Sequence, residues 1–547
     1  MAETSPGPSS VDVVIVGNGP SAMILSYILH GHIPFYNPES RHPDPLLHAK
    51  LKRSPELLHL DIDRVTDHFA ASRFSYSTQA LPVNVLFDAL IRPNGDDDEG
   101  VETCVQWRYM PDMAVPHVIF GAAAQPGGQW TECPAGTTPD IQSLSYAGML
   151  SLPGYSFSEH HQLAHGSPLP AFTRPSRQAV AEYLAAYPNA VGIADSIRCG
   201  EEIRGVTRTN DGFYIRSHGI TCRKLILASG VFAETIPPRP LLQPLRTLSP
   251  PSSSQEKHAP LLVIGSGFSA ADIIISSKPD QKIIHVFKWE PDTNPSPLKG
   301  CHQQAYPEYA SVYRLMKRAF TQLDGDKSSR HSKLSRGNSS AFLQSRNWQE
   351  IYEGMPNTAI SDVVLNKGAA IVTFRRPDGT TLSREVGGLA YTVGRRSTLN
   401  YLDKHLLAEI FGQEPLNDDD KWISRKTLRE RALDDLEVTR DVFIIGSLTG
   451  DSLIRFAHGG CAYVAGKLIQ HGSDTGICPN NGASNATKDD DLSTAQQTCR
   501  NNTKQVKRSE YTANGSANPT AAQAGDTYTN EEPRPKSWWA AFFRLFR

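Results

Sequence analysis

Val11-Asp12-Val13-Val14-Ile15-Val16-Gly17-Asn18-Gly19-Pro20-Ser21-Ala22 is an apolar run that breaks into Gly-x-Gly-x-x-Ala. The same device returns at Leu261-Leu262-Val263-Ile264-Gly265-Ser266-Gly267-Phe268-Ser269-Ala270. A buried strand that ends in closely spaced glycines and opens into a helix is the phosphate-binding turn of a dinucleotide fold. Gly17 and Gly265 permit the tight turn. Gly19 and Gly267 lack a Cβ, so the backbone can approach a pyrophosphate. Ala22 and Ala270 let each helix pack closely on its strand. Pro20, Ser21, Phe268 and Ser269 fall in the first helical turn, where unpaired N–H groups and the positive end of the helix dipole meet a diphosphate. One such motif is weak evidence. Two in one chain point to a protein that holds two dinucleotides at once, and such a pair suits a flavin and a nicotinamide exchanging hydride.

The rest of the composition narrows the class. The chain has 547 residues, enough for two to four domains, and a net charge of −2. That charge, spread evenly up to the C-terminal tail, gives no sign of a nucleic-acid partner. No apolar run approaches the length of a membrane span. Met1 to Ser10 is polar and lacks a secretory core, and the first strand follows at once, which leaves no room for a transit peptide. Eight cysteines (Cys104, Cys133, Cys199, Cys222, Cys301, Cys461, Cys478 and Cys499) include no Cys-x-x-Cys pair. Neither a zinc site nor a dithiol redox centre is supported, and a reduced, cytoplasmic setting is the simple reading.

Along the chain, Ile24, Leu25, Ile28 and Leu29 fall at helical spacing after the first turn, with Gly31 as a C-cap. A Pro-rich stretch from Ile33 to Leu47 replaces a long second strand, and residues 54–150 read as loop-rich. Val118-Ile119-Phe120-Gly121 reads as a strand leading into Gln125-Pro126-Gly127-Gly128-Gln129-Trp130. Residues 176–188 read as a helix ended by Pro188. Strand patterns follow at Glu202–Arg208, Phe213–Ser217 and Lys224–Ala228. After the second glycine turn come a helix from Ser269 to Ser277 and a strand from Lys282 to Phe287. A polar surface loop occupies 322–347, a hairpin turns at Asp378-Gly379, and a buried strand, Asp441 to Gly446, precedes a helix from about Arg455 to Gln470. From His471 to Lys536 the composition reads as disordered. The last segment, from Ser537, places Trp538, Trp539, Phe542, Phe543 and Phe546 on one helical face beside Arg544 and Arg547. Such a face suits a membrane interface, a partner protein, or docking onto the folded body.

The order of these motifs resembles the flavin-containing monooxygenase superfamily. Gly127-Gly128-Gln129-Trp130 resembles the Gly-Gly-x-Trp element beside its flavin. Arg177, Val180 and Glu182-Tyr183-Leu184 resemble its helix before a β-hairpin, and Leu227-Ala228-Ser229-Gly230 its linker strand. Closer still, the chain is similar to the oxidative-stress-induced growth inhibitor family. Gly17 to Ser21, His42 to Leu47, Pro126 to Trp130, Tyr306-Pro307-Glu308-Tyr309 and Gly450-Asp451-Ser452-Leu453-Ile454-Arg455-Phe456 carry that likeness, within residues 11–470. Members of that family are described as growth or stress regulators and as monooxygenases.

The resemblance implies an α/β architecture of two Rossmann-like dinucleotide-binding domains, the second inserted in the first, plus a disordered C-terminal tail. FAD would occupy 11–255 with 385–470, and NADPH 256–384, followed by a linker at 471–536 and the aromatic, basic segment 537–547. Three features depart from the pattern. An acid for the FAD ribose, about 20 residues past the glycines, has Glu39 as its one nearby candidate. The Baeyer–Villiger-type Phe-x-Gly-x-x-x-His is absent before the second fold. Gly450-Asp451, the candidate pair for a ribityl chain, follows Ile445 by several residues instead of ending the strand.

The second unit discriminates its cofactor at Lys288, just past the strand. A cation there suits the extra phosphate of NADP, and a charge-assisted contact of roughly 1.5–3 kcal/mol would favour NADPH about ten- to a hundredfold. Arg395 and Arg396 are further phosphate contacts. Arg455 and the last helix N-terminus would face the negative charge of a reduced flavin, with His458 in the same turn. The expected chemistry is NADPH-dependent monooxygenation of a small organic substrate by O2 through a flavin C4a-hydroperoxide. The rivals are an NADPH oxidase that releases hydrogen peroxide and a non-catalytic FAD-binding regulator.

Overall fold

The computed structural model of the chain describes residues 9–69, 80–94, 102–132, 137–232, 234–248, 259–323, 341–366, 368–412, 422–423 and 425–472. The expectations for the tail from 473 onward and for the centre of the polar loop at 322–347 lie outside the described residues.

β1 (Ser9–Val16) ends in Val13–Val16, a β-branched run buried on both faces, as a central parallel strand must be. It turns through Gly17 into α1 (Pro20–Leu29), whose residues Ala22 to Leu29 are all buried. The chain then leaves the sheet. β2 (His32–Tyr36) pairs antiparallel with β3 (Val105–Tyr109), and between them lies α2 (Pro82–Ile91), an apolar helix. Only at β4 (His117–Gly121) does the chain return, in parallel beside β1. α3 (Arg177–Val191) precedes β5 (Ile197–Cys199), which pairs with β4. α3 runs through Pro188 rather than stopping there. Tyr183, Leu184, Tyr187 and Pro188 are buried, and Gly192, at φ 75, ends the helix.

β6 (Val206–Thr209), β7 (Gly212–Ile215) and β8 (Ile220–Leu227) form an antiparallel excursion that puts β8 parallel to β1 on the side opposite β4. A second sheet follows. β9 (Leu261–Ile264) turns through Gly265 into α4 (Phe268–Ser276), and β10 (Ile283–Phe287) returns in parallel beside β9. α5 (Pro307–Leu323) packs on this unit, and β11 (Tyr352–Pro356) extends it beyond β10. The antiparallel strands β12 (Ala359–Asn366), β13 (Ala369–Arg375) and β14 (Thr381–Val386) include the expected Asp378-Gly379 hairpin, and β15 (Gly388–Tyr391) closes the sheet beside β9.

The chain then completes the first sheet. β16 (Glu437–Thr439) and β17 (Val442–Ile444) form a hairpin, with β17 parallel to β8, and α6 (His458–Gly472) packs against α1 and α2. The main sheet therefore runs β16-β17-β8-β1-β4-β5, and the second runs β11-β10-β9-β15. This is an α/β fold with two strand–glycine-turn–helix units, the second lying in sequence inside the first. Among the described residues no helix is long and apolar enough to cross a membrane.

Candidate dinucleotide sites

The first turn is shaped by close backbone approach. Gly17, at φ 114, donates its N–H to the Phe120 carbonyl at 2.7 Å, and a Cβ there would lie 2.5 Å from the Ala228 carbonyl oxygen. Gly19 is different: a Cβ on it would meet nothing within 4 Å. Above α1 there is therefore room against the backbone, the condition for a pyrophosphate. Pro20 and Ser21 sit half-buried in the first helical turn, and Ala22 is buried.

The Gly127–Trp130 element is folded against this turn. Gly127 donates its N–H to the Asn18 carbonyl at 2.9 Å, and a Cβ on Gly128 would lie 3.2 Å from Gly19 Cα. Both glycines have positive φ, so the backbone here requires them. The Gln129 carbonyl accepts from Arg177 at 2.8 Å, and Trp130 packs on the main core.

The second turn repeats the first in outline. Gly265, at φ 149, has a Cβ position blocked by the Thr392 carbonyl, while Gly267 faces only Pro297 Cγ, at 3.9 Å. Phe268 and Ser269 open α4, and Ala270 is buried. His285, on β10, donates from Nε2 to the Gly265 carbonyl at 2.7 Å and accepts from the Tyr352 hydroxyl at 2.8 Å. Burial pushes this imidazole down to about 4, so it stays neutral under the turn.

A cleft of about 1520 Å³ joins the two units. Gly265, Gly267, Phe268, Ser269 and Lys288 line one part of it, and Gln129, Trp130, Arg177 and Ser452 another. Lys288 and Arg396 are exposed in its wall, and Arg395 is half-buried with Nη1 donating to the Phe232 carbonyl at 3.2 Å. Arg239 joins them; the wall's acids are Asp272 and Glu290. The cleft is electropositive on balance, as a ligand carrying several phosphates requires.

Asp272 was not singled out by sequence reading. It lies one turn into α4 and accepts from the Tyr309 hydroxyl at 2.8 Å. Burial pushes its carboxyl up to about 6, and Tyr309 and Arg177 pull it part of the way back. The signal was the Tyr306–Tyr309 stretch itself, since Arg174 holds this corner through Glu308 at 2.8 Å.

Four expectations are corrected. Asp451 does not face a cofactor. Its Oδ2 accepts from Leu81 N–H and Asn84 Nδ2 at 2.9 and 2.7 Å, and its Oδ1 from Arg429 at 2.6 Å, so the carboxylate serves the N-terminus of α2. Gly450 ends a 3-10 turn, not a strand, and a Cβ there would lie 2.6 Å from Arg429 Cδ. Arg455 is buried and bidentate to Asp88, at 3.0 and 2.6 Å, which leaves it no path to a flavin's charge. Glu39 is exposed in the loop after β2, outside the main sheet. His458 is buried among these groups, and burial with Arg92 pushes its imidazole down to about 3.

What stands where the strand-end pair was sought is Gly446-Ser447. Gly446, at φ 66, leaves a gap that Ser21 fills, and Ser447 Oγ accepts from Val231 N–H at 3.0 Å. The sequence signal was Ile444-Ile445 immediately before them.

No family model matches the chain. The chain is similar over most of its length to the oxidative stress-induced growth inhibitors. It is 25% identical over 499 residues to oxidative stress-induced growth inhibitor 1 of Mus musculus, a match covering 84% of this chain and 95% of that protein. With oxidative stress-induced growth inhibitor 2 of Homo sapiens it shares 26% over 360 residues, covering 56% of this chain and 68% of that protein. The resemblance read from the motifs thus extends over most of the chain. Among solved structures, a mutant flavin monooxygenase from Stenotrophomonas maltophilia aligns with 85% of this chain and 99% of its own, at 14% identity and a TM-score of 0.43.

Proposed function

We propose that this chain is an NADPH-dependent flavoprotein oxidoreductase of the monooxygenase type, with FAD at the first glycine turn and NADPH at the second. The observation that carries this reading is one cleft lined both by the second turn and by Gln129-Trp130, which follow directly on the Gly127-Gly128 backbone that lies against the first turn. Bound together, the two cofactors supply hydride transfer to the flavin and reaction of reduced flavin with O2.

The chain's own residues supply the rest. Gly19 and Gly267 leave backbone room for the two diphosphates, and the N–H groups of α1 and α4 face them. Lys288, with Arg395 and Arg396, receives the 2′-phosphate that distinguishes NADPH from NADH. Trp130, Phe232 and Phe268 are apolar cover that lowers the water content of the cleft. Arg177, anchored to the Gln129 carbonyl, holds the flavin-side element in register. Asp272 can hold a proton near pH 6 at the edge of the same cleft.

The test is spectroscopic. Purified protein carries flavin absorbance, and NADPH bleaches it under anaerobic conditions, faster than NADH does. Flavin that NADPH cannot reduce, or no flavin at all, supports a regulator instead of an enzyme. With oxygen present, peroxide formed per NADPH consumed separates oxidase from monooxygenase.

A further inference from the structure

In a dinucleotide fold the acid that reads the adenine ribose stands at the end of the strand beside the first strand. In the second unit that strand is β10, and Lys288 follows it. In the first unit it is β4, and it ends in Gly121, followed by Ala122, Ala123 and Ala124. No carboxylate leaves from this strand end. A Cβ on Gly121 would collide with Cβ, Cγ and Oδ1 of Asn18, so the Asn18 side chain fills the place the missing one would take.

Asn18 is 3% exposed and firmly held. Its Nδ2 donates to the Ala123 carbonyl at 2.9 Å and the Gln125 carbonyl at 3.2 Å, with Cys199 Sγ at 3.4 Å. Both N–H groups are thus committed, which fixes which end of the amide is oxygen. That oxygen accepts no hydrogen bond from the described chain and is not among its sealed, unpartnered atoms. An aspartate could not take this position, because its oxygens would face two carbonyls.

We propose that the Asn18 carboxamide oxygen is the acceptor for the adenine-ribose hydroxyls at the first dinucleotide site, replacing the strand-end carboxylate. The inference rests on the reading that FAD occupies this turn. Gly121 is the enabling residue, since only a residue without a side chain leaves Asn18 its place. The acceptor is neutral, so the hydroxyls are held by an ordinary hydrogen bond instead of a charge-assisted one.

The experiment measures dissociation constants by flavin fluorescence on the full chain stripped of flavin. The probes are FAD and an FAD analogue lacking the adenosine 2′- and 3′-hydroxyls. The wild-type chain is expected to prefer FAD by about three- to tenfold. Asn18→Ala is expected to bind both equally, whatever its absolute affinity. The pair Asn18→Gly with Gly121→Glu is expected to restore the preference and enlarge it. Equal binding of the two probes by the wild-type chain overturns the proposal and needs no variant to be read, and so does a preference that survives Asn18→Ala. Failure of the wild-type chain to bind FAD overturns the reading of the site as well; flavin binding indifferent to the ribose hydroxyls overturns only this inference.

Discussion

The first and second glycine turns are written in the same residues and set in different surroundings. At the first, Gly128 closes on Gly19, Ser21 fills the gap at Gly446, and every residue of α1 from Ala22 to Leu29 is buried. At the second, Ser269 is exposed, and only Ala270, Ala271, Ile273 and Ile274 of α4 are buried. A ligand hemmed in on several sides leaves slowly, whereas one lying in an open cationic cleft exchanges. On the proposed reading, the first turn is the place for a cofactor kept through many cycles and the second for one replaced in each. The motif fixes a turn, while the packing around it differs between the two units.

The sharpest way to break this contrast lies in the brace around the first unit. Asp88 sits between Arg455 and Arg92, and Asp88→Asn would remove the carboxylate that both guanidiniums meet. A loss of about 3–5 kcal/mol is expected in denaturant unfolding. A loss under about 1 kcal/mol would show that the brace does not hold the first site. Next come the turns themselves. Gly17→Ala meets the Ala228 carbonyl at a positive φ and should cost about 3 kcal/mol. Gly267→Ala meets only Pro297 Cγ, in ordinary contact at 3.9 Å, and should stay within about 0.5 kcal/mol of wild type while weakening NADPH binding. Equal costs for the two would show that close backbone approach does not set the first glycine of a turn apart from the second.

Charge reversal in the open cleft sharpens the contrast from the other side. Lys288→Glu is expected to lower the preference for NADPH over NADH about ten- to a hundredfold with the melting temperature unchanged. A further, modest effect belongs to Asp272. Its carboxyl is held above the usual range, so the folded state binds a proton that the unfolded chain has released. Stability from this group therefore falls as the pH rises from about 4 to about 6. Asp272→Asn keeps the Tyr309 bond and should gain on the order of 1 kcal/mol at pH 7, with the gain vanishing below about pH 4. A gain that persists at low pH would mean that burial of the charge is not the cause.

Sequence reading reached the parts of this fold whose physics is local. Val13 to Gly17 and Val263 to Gly265 announce a buried strand and a forced turn within a few residues. Gly127-Gly128 is legible for the same reason. Glu39 failed because the spacing rule counts residues, and the insert at 32–116 postpones the neighbouring strand to β4. That insert itself was unreadable: α2 is apolar nearly all round, so it shows little helical period. Asp451 and Arg455 failed differently. Charged residues in a motif look functional until their partners are known, and Asn84, Asp88 and Arg429 lie remote from them in sequence.

The break in the main sheet has a consequence for the order of assembly. β8 gains its outer parallel neighbour only at Val442–Ile444, and α6 follows later still. The second sheet, by contrast, draws all of its strands from residues 261–391. A ribosome would therefore release a complete second sheet while the first still lacked an edge. The turn that comes first in the chain is the last to receive its full set of walls.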